Sequence, residues 1–248
     1  MTIQMTPIKN TIVLGLILTF IVPSKSVAQT YNSAFDEPSD ILFEILLYLS
    51  VYPLVGNYNT EDHLYNNLTD YPYKQDKTGN YIDSDISEKK LFRIDLENHF
   101  LFAKDNNYGN RLNVKIRPFQ YFYLQSGFYQ IVEFNKASDF PSYSVFNINF
   151  CYDRLRFQRF NLGWTAGINY VGNRTKKIGV SGGFNSNWFF IKCLSLQSSV
   201  RWGGHSVDNF ELQLRYHYKK VLFSAGYEII KIISPRFHFL SGGFGIYL

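Results

Sequence analysis

Three side chains of the kinds that make an activated nucleophile fall within Gly203-Gly204-His205-Ser206-Val207-Asp208-Asn209, with Glu211 two residues on. A histidine can take the proton of a serine hydroxyl while an acid orients the ring, which would suit acyl hydrolysis. The spacing argues against it. His205 and Ser206 are adjacent, so on a strand their side chains would point to opposite faces. Gly, Ser, Asp and Asn together also make an ordinary turn with an exposed histidine. The expectation is a loop, with His205, Ser206 and Asp208 as the catalytic residues of an alternative, enzymatic reading.

Nothing else in the chain has ligand spacing. Cys151 and Cys193 form no CxxC and are expected to be small packed thiols. The acids Glu61, Asp62, Asp70, Asp76, Asp83 and Asp85 are scattered and lack the spacing of a calcium loop. Gly182-Gly183 and Gly242-Gly243 precede no helix, so they mark bends in strands rather than phosphate cradles. No metal and no cofactor is expected.

The elements that would carry these residues are strands. From Phe210, residues alternate: Phe210, Leu212, Leu214, Tyr216 and Tyr218 against Glu211, Gln213, Arg215, His217 and Lys219. After Lys219-Lys220 the alternation resumes through Glu228, so the stretch is a hairpin. The pattern recurs in ten runs: 91–103, 111–117, 120–134, 143–153, 157–170, 177–189, 194–202, 210–218, 221–228 and 236–248. Their connections alternate long and polar with short and tight, as in transmembrane barrels. Asp153 to Arg156 is one of the short turns. Ten strands starting upward leave both termini on the same side.

Residues 1–28 have the layout of a secretory signal peptide: Lys9, the apolar run Thr11 to Val22, and small Ser26 and Ala28 before Gln29. Residues 29–90 form an N-terminal periplasmic segment. Within it, Ile41 to Tyr52 is either a short amphipathic helix, favoured by the capping chemistry of Asp36 to Asp40, or an extra strand that would bring the barrel to twelve. Pro53 to Lys90 has no sustained period and packs into or under the barrel.

Phe and Tyr number 23 and 19, and charged residues only 18%. Without Lys9 and Lys25 the net charge falls from +5 to +3, too mild for nucleic-acid binding. An exported, aromatic-rich, alternating chain belongs to the cell envelope of a Gram-negative cell. The fold class is therefore all-β: an antiparallel up-and-down transmembrane β-barrel of 91–248, in the outer membrane. Its apolar faces would meet lipid, with Tyr152, Tyr218 and Tyr247 in one aromatic girdle and Tyr170, Trp202 and Tyr227 in the other. Its inner face would carry a paired network of Arg93, Asp95, Glu97, Lys115, Arg117, Arg201, Glu211, Arg215, His217 and Glu228, leaving at most a thin, water-lined path. His99, His217 and His238 would face inward and bond to lumen acids. A soluble lipocalin-like barrel with its faces inverted is the alternative fold.

The signal peptide ending Ser26-Val27-Ala28, the Tyr-rich strands and the C-terminal run Phe237 to Leu248 resemble bacterial outer-membrane β-barrel proteins of the porin-like sort common in Bacteroidota. The resemblance covers residues 91–248. It implies a structural protein, a narrow channel or an assembly subunit, with outer-membrane lipid and a periplasmic or outer-membrane protein as partners. The alternative is a barrel enzyme hydrolysing acyl groups of lipid A or phospholipid. Such enzymes carry His and Ser two apart on one strand face, unlike His205 and Ser206. The basic turn residues Arg117, Arg154, Arg156, Lys192, Lys219 and Lys220 would offer a docking surface to an acidic partner or to the N-terminal segment itself.

Overall fold

The computed structural model describes residues 52–74, 78–83, 92–104, 107–133, 142–173, 176–203 and 207–248. The helix-or-strand stretch Ile41 to Tyr52 lies outside them except for its last residue, as do residues 1–28, expected to be a signal peptide, and His205 and Ser206. Among the described residues the chain opens with one helical turn, α1 (Tyr52–Val55), a 3-10 turn (Asp62–Tyr65), and two strands of two residues each, β1 (Asn67–Leu68) and β2 (Tyr81–Ile82), which pair with each other. Ten long strands follow: β3 (Arg93–Phe102), β4 (Asn107–Arg117), β5 (Phe122–Glu133), β6 (Ser142–Arg156), β7 (Phe160–Val171), β8 (Lys177–Ile191), β9 (Leu194–Trp202), β10 (Val207–Tyr218), β11 (Val221–Ile232) and β12 (Arg236–Tyr247).

Each pairs antiparallel with its neighbours in sequence, and β12 closes on β3 from Leu240↔Phe102 to Tyr247↔Asp95. Leu248 and Ile94 complete the seam by exchanging backbone hydrogen bonds of 2.9 and 3.2 Å. A sheet closed in this way has no edge strand with unpaired backbone groups. Ten strands are therefore the full complement, and the twelve-strand alternative does not hold because neither β3 nor β12 has a free side.

The period of two places the grease outside. In β10, Glu211, Gln213, Arg215 and His217 are buried, while Leu212, Leu214, Tyr216 and Tyr218 are exposed. The inverted, lipocalin-like barrel is thereby excluded: exposed Phe100, Leu214 and Phe244 would face water, whereas the buried side is polar. Of the girdle aromatics, Tyr218, Tyr170, Trp202 and Tyr227 are outward and exposed. Tyr247 is not; it shares parity with Gly243 and Gly245 and lies buried in the lumen. His238 departs in the opposite sense. It is exposed on the outer face with Leu240 and Phe244, and its Nδ1 meets the Tyr227 hydroxyl at 2.6 Å rather than a lumen acid.

One register irregularity shapes a rim. A bulge between Asp153 and Leu155 carries β6 on to Arg156, so residues 153–156 extend a strand instead of making a turn. Bulges re-aim side chains at barrel rims, and here the bulge lies beside Arg154. At the other bends, Cys193 and Lys219 adopt left-handed backbone angles in two-residue turns.

Close strand approach fixes one glycine. A Cβ on Gly183 would sit 2.0 Å from the Val200 carbonyl oxygen. Gly183→Val should cost about 1–3 kcal/mol through forced backbone displacement, read as a lower urea midpoint for loss of the compact, heat-modifiable form on gels. An unchanged midpoint would mean that β8 and β9 can separate freely there.

Candidate functional site

The inner face holds more ionic groups than any other part of the described chain. Seven buried cations (Arg93, Arg111, Lys115, Arg117, Arg156, Arg201 and Arg215) face five buried carboxylates (Asp95, Glu97, Asp153, Glu211 and Glu228). They are arranged in layers. Toward the loops, Arg111 reaches Glu211 at 2.6 Å and Glu228 at 2.9 Å, Arg201 approaches Glu211 at 3.6 Å, and the Tyr129 hydroxyl donates to Glu211 at 3.1 Å. Below this, Glu97 receives Arg215 through 2.6 and 3.2 Å hydrogen bonds, Lys115 at 3.4 Å and the His99 ring at 3.3 Å. Toward the turns, Arg93 grips Asp95 at 2.7 and 3.0 Å, and Arg117 spans Asp95 at 3.6 Å and Asp153 at 3.1 Å.

Two of the cations also lie against aromatic faces. The Arg156 guanidinium lies 3.6 Å from the Tyr121 ring centroid and that of Arg117 lies 4.0 Å from Tyr123. Elsewhere the wall is neutral. Gln125–Asn113, Asn149–Asn147, Ser181–Asn149 and Ser199–Asn185 bond side chain to side chain at 2.9–3.2 Å.

Both ends of this polar interior are covered. At the loop end, Leu101, Ile131, Val171, Ile230, Ile232 and Phe239, each essentially inaccessible, belong to an apolar cluster inside the barrel. At the turn end the chain before β3 forms a strap. Its α1 turn lies outside, where Trp164 and Tyr152 donate to the carbonyls of Leu54 and Val55 at 2.9 and 2.6 Å. This contact explains why Tyr152, on the outward parity of β6, is buried. The strap then crosses the rim at the bulge. Arg154 donates to the Tyr52 carbonyl at 3.2 Å and makes a bidentate pair with Glu61, both contacts 2.8 Å. His63 stacks on Phe157 with ring centroids 4.3 Å apart, and Asn66 donates to the Arg156 carbonyl at 2.8 Å.

Beyond the rim the β1–β2 pair occupies the lumen. Arg93 donates to the Thr69 carbonyl and to Asn80 at 3.0 and 3.2 Å, and Tyr81 donates to Asp153 at 2.6 Å. Burial, reinforced by the Asp153 carboxylate, holds the Tyr81 phenol well above its ordinary pKa, so it stays a donor. Gly79, at φ +91°, lets the strap pass where a Cβ would stand 2.0 Å from the Gln158 carbonyl. Of the basic turn residues, Arg117, Arg154 and Arg156 engage the strap or its partners, whereas Lys219 and Lys220 are exposed.

The nucleophile chemistry expected at 203–211 is only partly in view. Asp208 faces outward; its carboxylate accepts the Gly203 amide at 3.1 Å and approaches Lys231 at 3.7 Å. Glu211 turns inward into the ionic network. Serine does meet histidine elsewhere: Ser195 Oγ lies 2.7 Å from His217 Nε2, whose Nδ1 meets the Tyr247 hydroxyl at 3.2 Å. The third group is a phenol, not a carboxylate. The adjoining cavity, bounded by Arg93, Arg117, Arg215, His217 and Tyr247, has about 10 Å³, room for about one water and no acyl substrate. A larger cavity of about 200 Å³ lies at the rim between Tyr73 and the β8–β9 turn. Both cysteines are free, and among the described residues no group of three or more His, Cys, Asp or Glu side chains could hold a metal ion.

Of the residues that do the pairing, Arg111, Asp153 and the Arg154–Glu61 bridge are additions to the network read from sequence. Arg111 was legible as the inward member of its run with Asn113 and Lys115. Asp153 likewise has the inward parity of Asn147, Asn149 and Cys151. The Arg154–Glu61 bridge depends on the bulge, which leaves no sequence pattern.

No protein-family model matches the chain, and no curated protein matches it by sequence. Solved structures similar to it include a transmembrane β-barrel designed de novo (11% identity, 65% of this chain and 100% of that one, TM-score 0.36) and Neisserial surface protein A (11%, 63% and 97%, 0.34). The KdgM porin, solved with oligogalacturonate, is a third (11%, 62% and 98%, 0.35). The fold assignment rests on this chain's own strand register.

Two outcomes test the site. Glu97→Gln leaves Arg215 and Lys115 buried with their shared carboxylate gone, and should cost about 3–5 kcal/mol of unfolding free energy; part should return in the Glu97→Gln/Arg215→Gln double variant. For the strap, the Arg154 hydrogen bonds outweigh desolvation and hold the Glu61 pKa below its ordinary value. A depressed folded-state pKa means the anchorage is complete above the ordinary carboxylate range and is lost as pH falls through the lowered value. Limited proteolysis at residues 56–66 should therefore accelerate under acid conditions, and in Glu61→Gln the protection should already be reduced at neutral pH.

Proposed function

We propose that this chain is an outer-membrane β-barrel protein of the closed kind, a structural or assembly subunit of a Gram-negative envelope rather than an open pore. The single observation that carries the reading is the filled interior: an apolar layer under the loops, ion-paired layers in the middle and the strap beneath. A conducting path would have to move the apolar cluster around Ile131 and Phe239 as well as the strap, and would have to break buried pairs at a cost of about 3–5 kcal/mol each. Exposed Phe100, Leu214, Phe223 and Phe244 are the surface that lipid would cover. A protein fixed in lipid by its outside, with its inside occupied by itself, has its turns, loops and strap left for partners.

The purified protein, folded in detergent, should migrate faster unheated than boiled and should be recovered with outer-membrane fractions. In planar bilayers it should give no discrete conductance steps at moderate voltage. Regular single-channel steps from the heat-modifiable form would replace the closed reading with a narrow channel. Recovery in the aqueous extract would remove the membrane reading altogether.

A further inference from the structure

We propose that the outer face of the β11–β12 hairpin, at its loop end, binds the phosphoryl group of a glycolipid in the adjoining leaflet, through Lys231, Arg236 and His238. The proposal rests on the outer-membrane reading above.

The face is apolar along most of its length. Val221, Phe223, Ala225, Tyr227 and Ile229 of β11 share it with Ile246, Phe244, Gly242 and Leu240 of β12. Only its last steps turn basic. Lys231 and Arg236 are directly opposite one another across the hairpin, joined by the short connection 233–235. Like charges directly opposite on a sheet are destabilising, so this pair needs an anion between or above its two heads. The protein supplies little of one. Asp208, the cross-strand partner of Lys231 on its other side, lies 3.7 Å from the ammonium, and both side chains are more than a third exposed. Arg236 is exposed and forms no ion pair among the described residues. Two cations against one loosely held carboxylate leave the patch positive.

His238 adds direction. It follows Arg236 by two residues on the same face, and the Tyr227 hydroxyl fixes its ring through Nδ1 at 2.6 Å. When that hydroxyl donates, the ring proton lies on Nε2, where it can meet an anionic oxygen. The height also suits a lipid. Leu240, two-thirds exposed, and Phe102, half exposed, are adjacent in register and present a surface for acyl chains. Arg236 lies four residues further along the strand, about 13 Å at strand rise, the level of a headgroup above those chains. At the opposite end of the same hairpin, the outward strand residues Val221 and Ile246 carry no charge, and the lysines there, Lys219 and Lys220, are in the turn rather than on the strand faces.

The test compares the wild-type full chain with the Lys231→Gln/Arg236→Gln variant in detergent micelles. The probes are bisphosphorylated lipid A, the same lipid with its phosphates removed, and inorganic phosphate. Native mass spectrometry should show lipid A retained by the wild type, with about tenfold weaker retention by the variant and by the dephosphorylated lipid. Heat-modifiable migration should be unchanged in both proteins. Equal retention by wild type and variant, or of the two lipids, would overturn the proposal. Displacement of lipid A by millimolar inorganic phosphate would also overturn it, by reducing the site to one for a free anion. If the wild type itself lacks heat-modifiable migration, the membrane reading fails first and takes this one with it.

Discussion

Each charge on the inner wall must find its counter-charge within the same tube. An isolated ion in a low-dielectric interior costs several kcal/mol, and a partner repays that only with good geometry. Ten strands enclose a lumen narrow enough for side chains from facing walls to meet, and the pairs here use that. Arg215 on β10 reaches Glu97 on β3, and Arg111 on β4 reaches Glu211 and Glu228 on β10 and β11. These contacts span the interior as well as lining it. They tie together the seam strands and their neighbours, where the closed sheet is formed by the chain's last strand meeting its first.

Charge satisfaction also accounts for the strap. At the turn end the inward residues Arg93, Arg117 and Asp153 have partners on the wall but retain further hydrogen-bonding capacity. The strap supplies it through the Thr69 carbonyl, Asn80 and Tyr81. The entry point is set by the bulge at 153–155, which leaves Arg154 on the rim with Glu61 as its partner. One short segment thus contacts the outer face through Tyr152 and Trp164, the rim through Arg154 and the lumen through Arg93. Displacing any of the three leaves a different class of group unpaired, so the strap is held by complementary contacts that do not substitute for one another.

The strands were readable because a two-residue period records which face is apolar and which carries the ions. Leu194–Trp202 and the 219–220 turn coincide with the alternation seen in the sequence, and the remaining barrel strands differ from it by a few residues at their ends. What the period could not carry was the sign of inside and outside, which only closure of the sheet decides. It was also silent on residues whose surroundings come from outside the alternation. Tyr152 has the outward parity of its strand and is buried by a segment about a hundred residues earlier in the chain. His238, by contrast, follows the alternation: it shares the parity of Leu240 and Phe244 and so points outward beside Tyr227, and only its residue type suggested a place among lumen acids. The strap has no period because its backbone bonds mainly within itself, in turns and the short β1–β2 pair, and otherwise to barrel side chains, rather than to a long neighbouring strand.

The two ends of the lumen are closed by opposite means, and that difference bears on what the molecule can become. The loop-end cluster is apolar, non-directional and supplied by seven of the barrel strands at once, so it yields only if the wall itself deforms. The turn-end closure is a single segment held by identifiable hydrogen bonds, one half-buried rim ion pair and the buried side chains of Leu64, Leu68, Tyr81 and Ile82. A closure of the second kind is made by one segment that is not part of the sheet, so the backbone ladder of the barrel does not depend on it. Without the strap, Arg93, Arg117 and Asp153 would open to the turn side while the loop-end cluster still separated them from the opposite face.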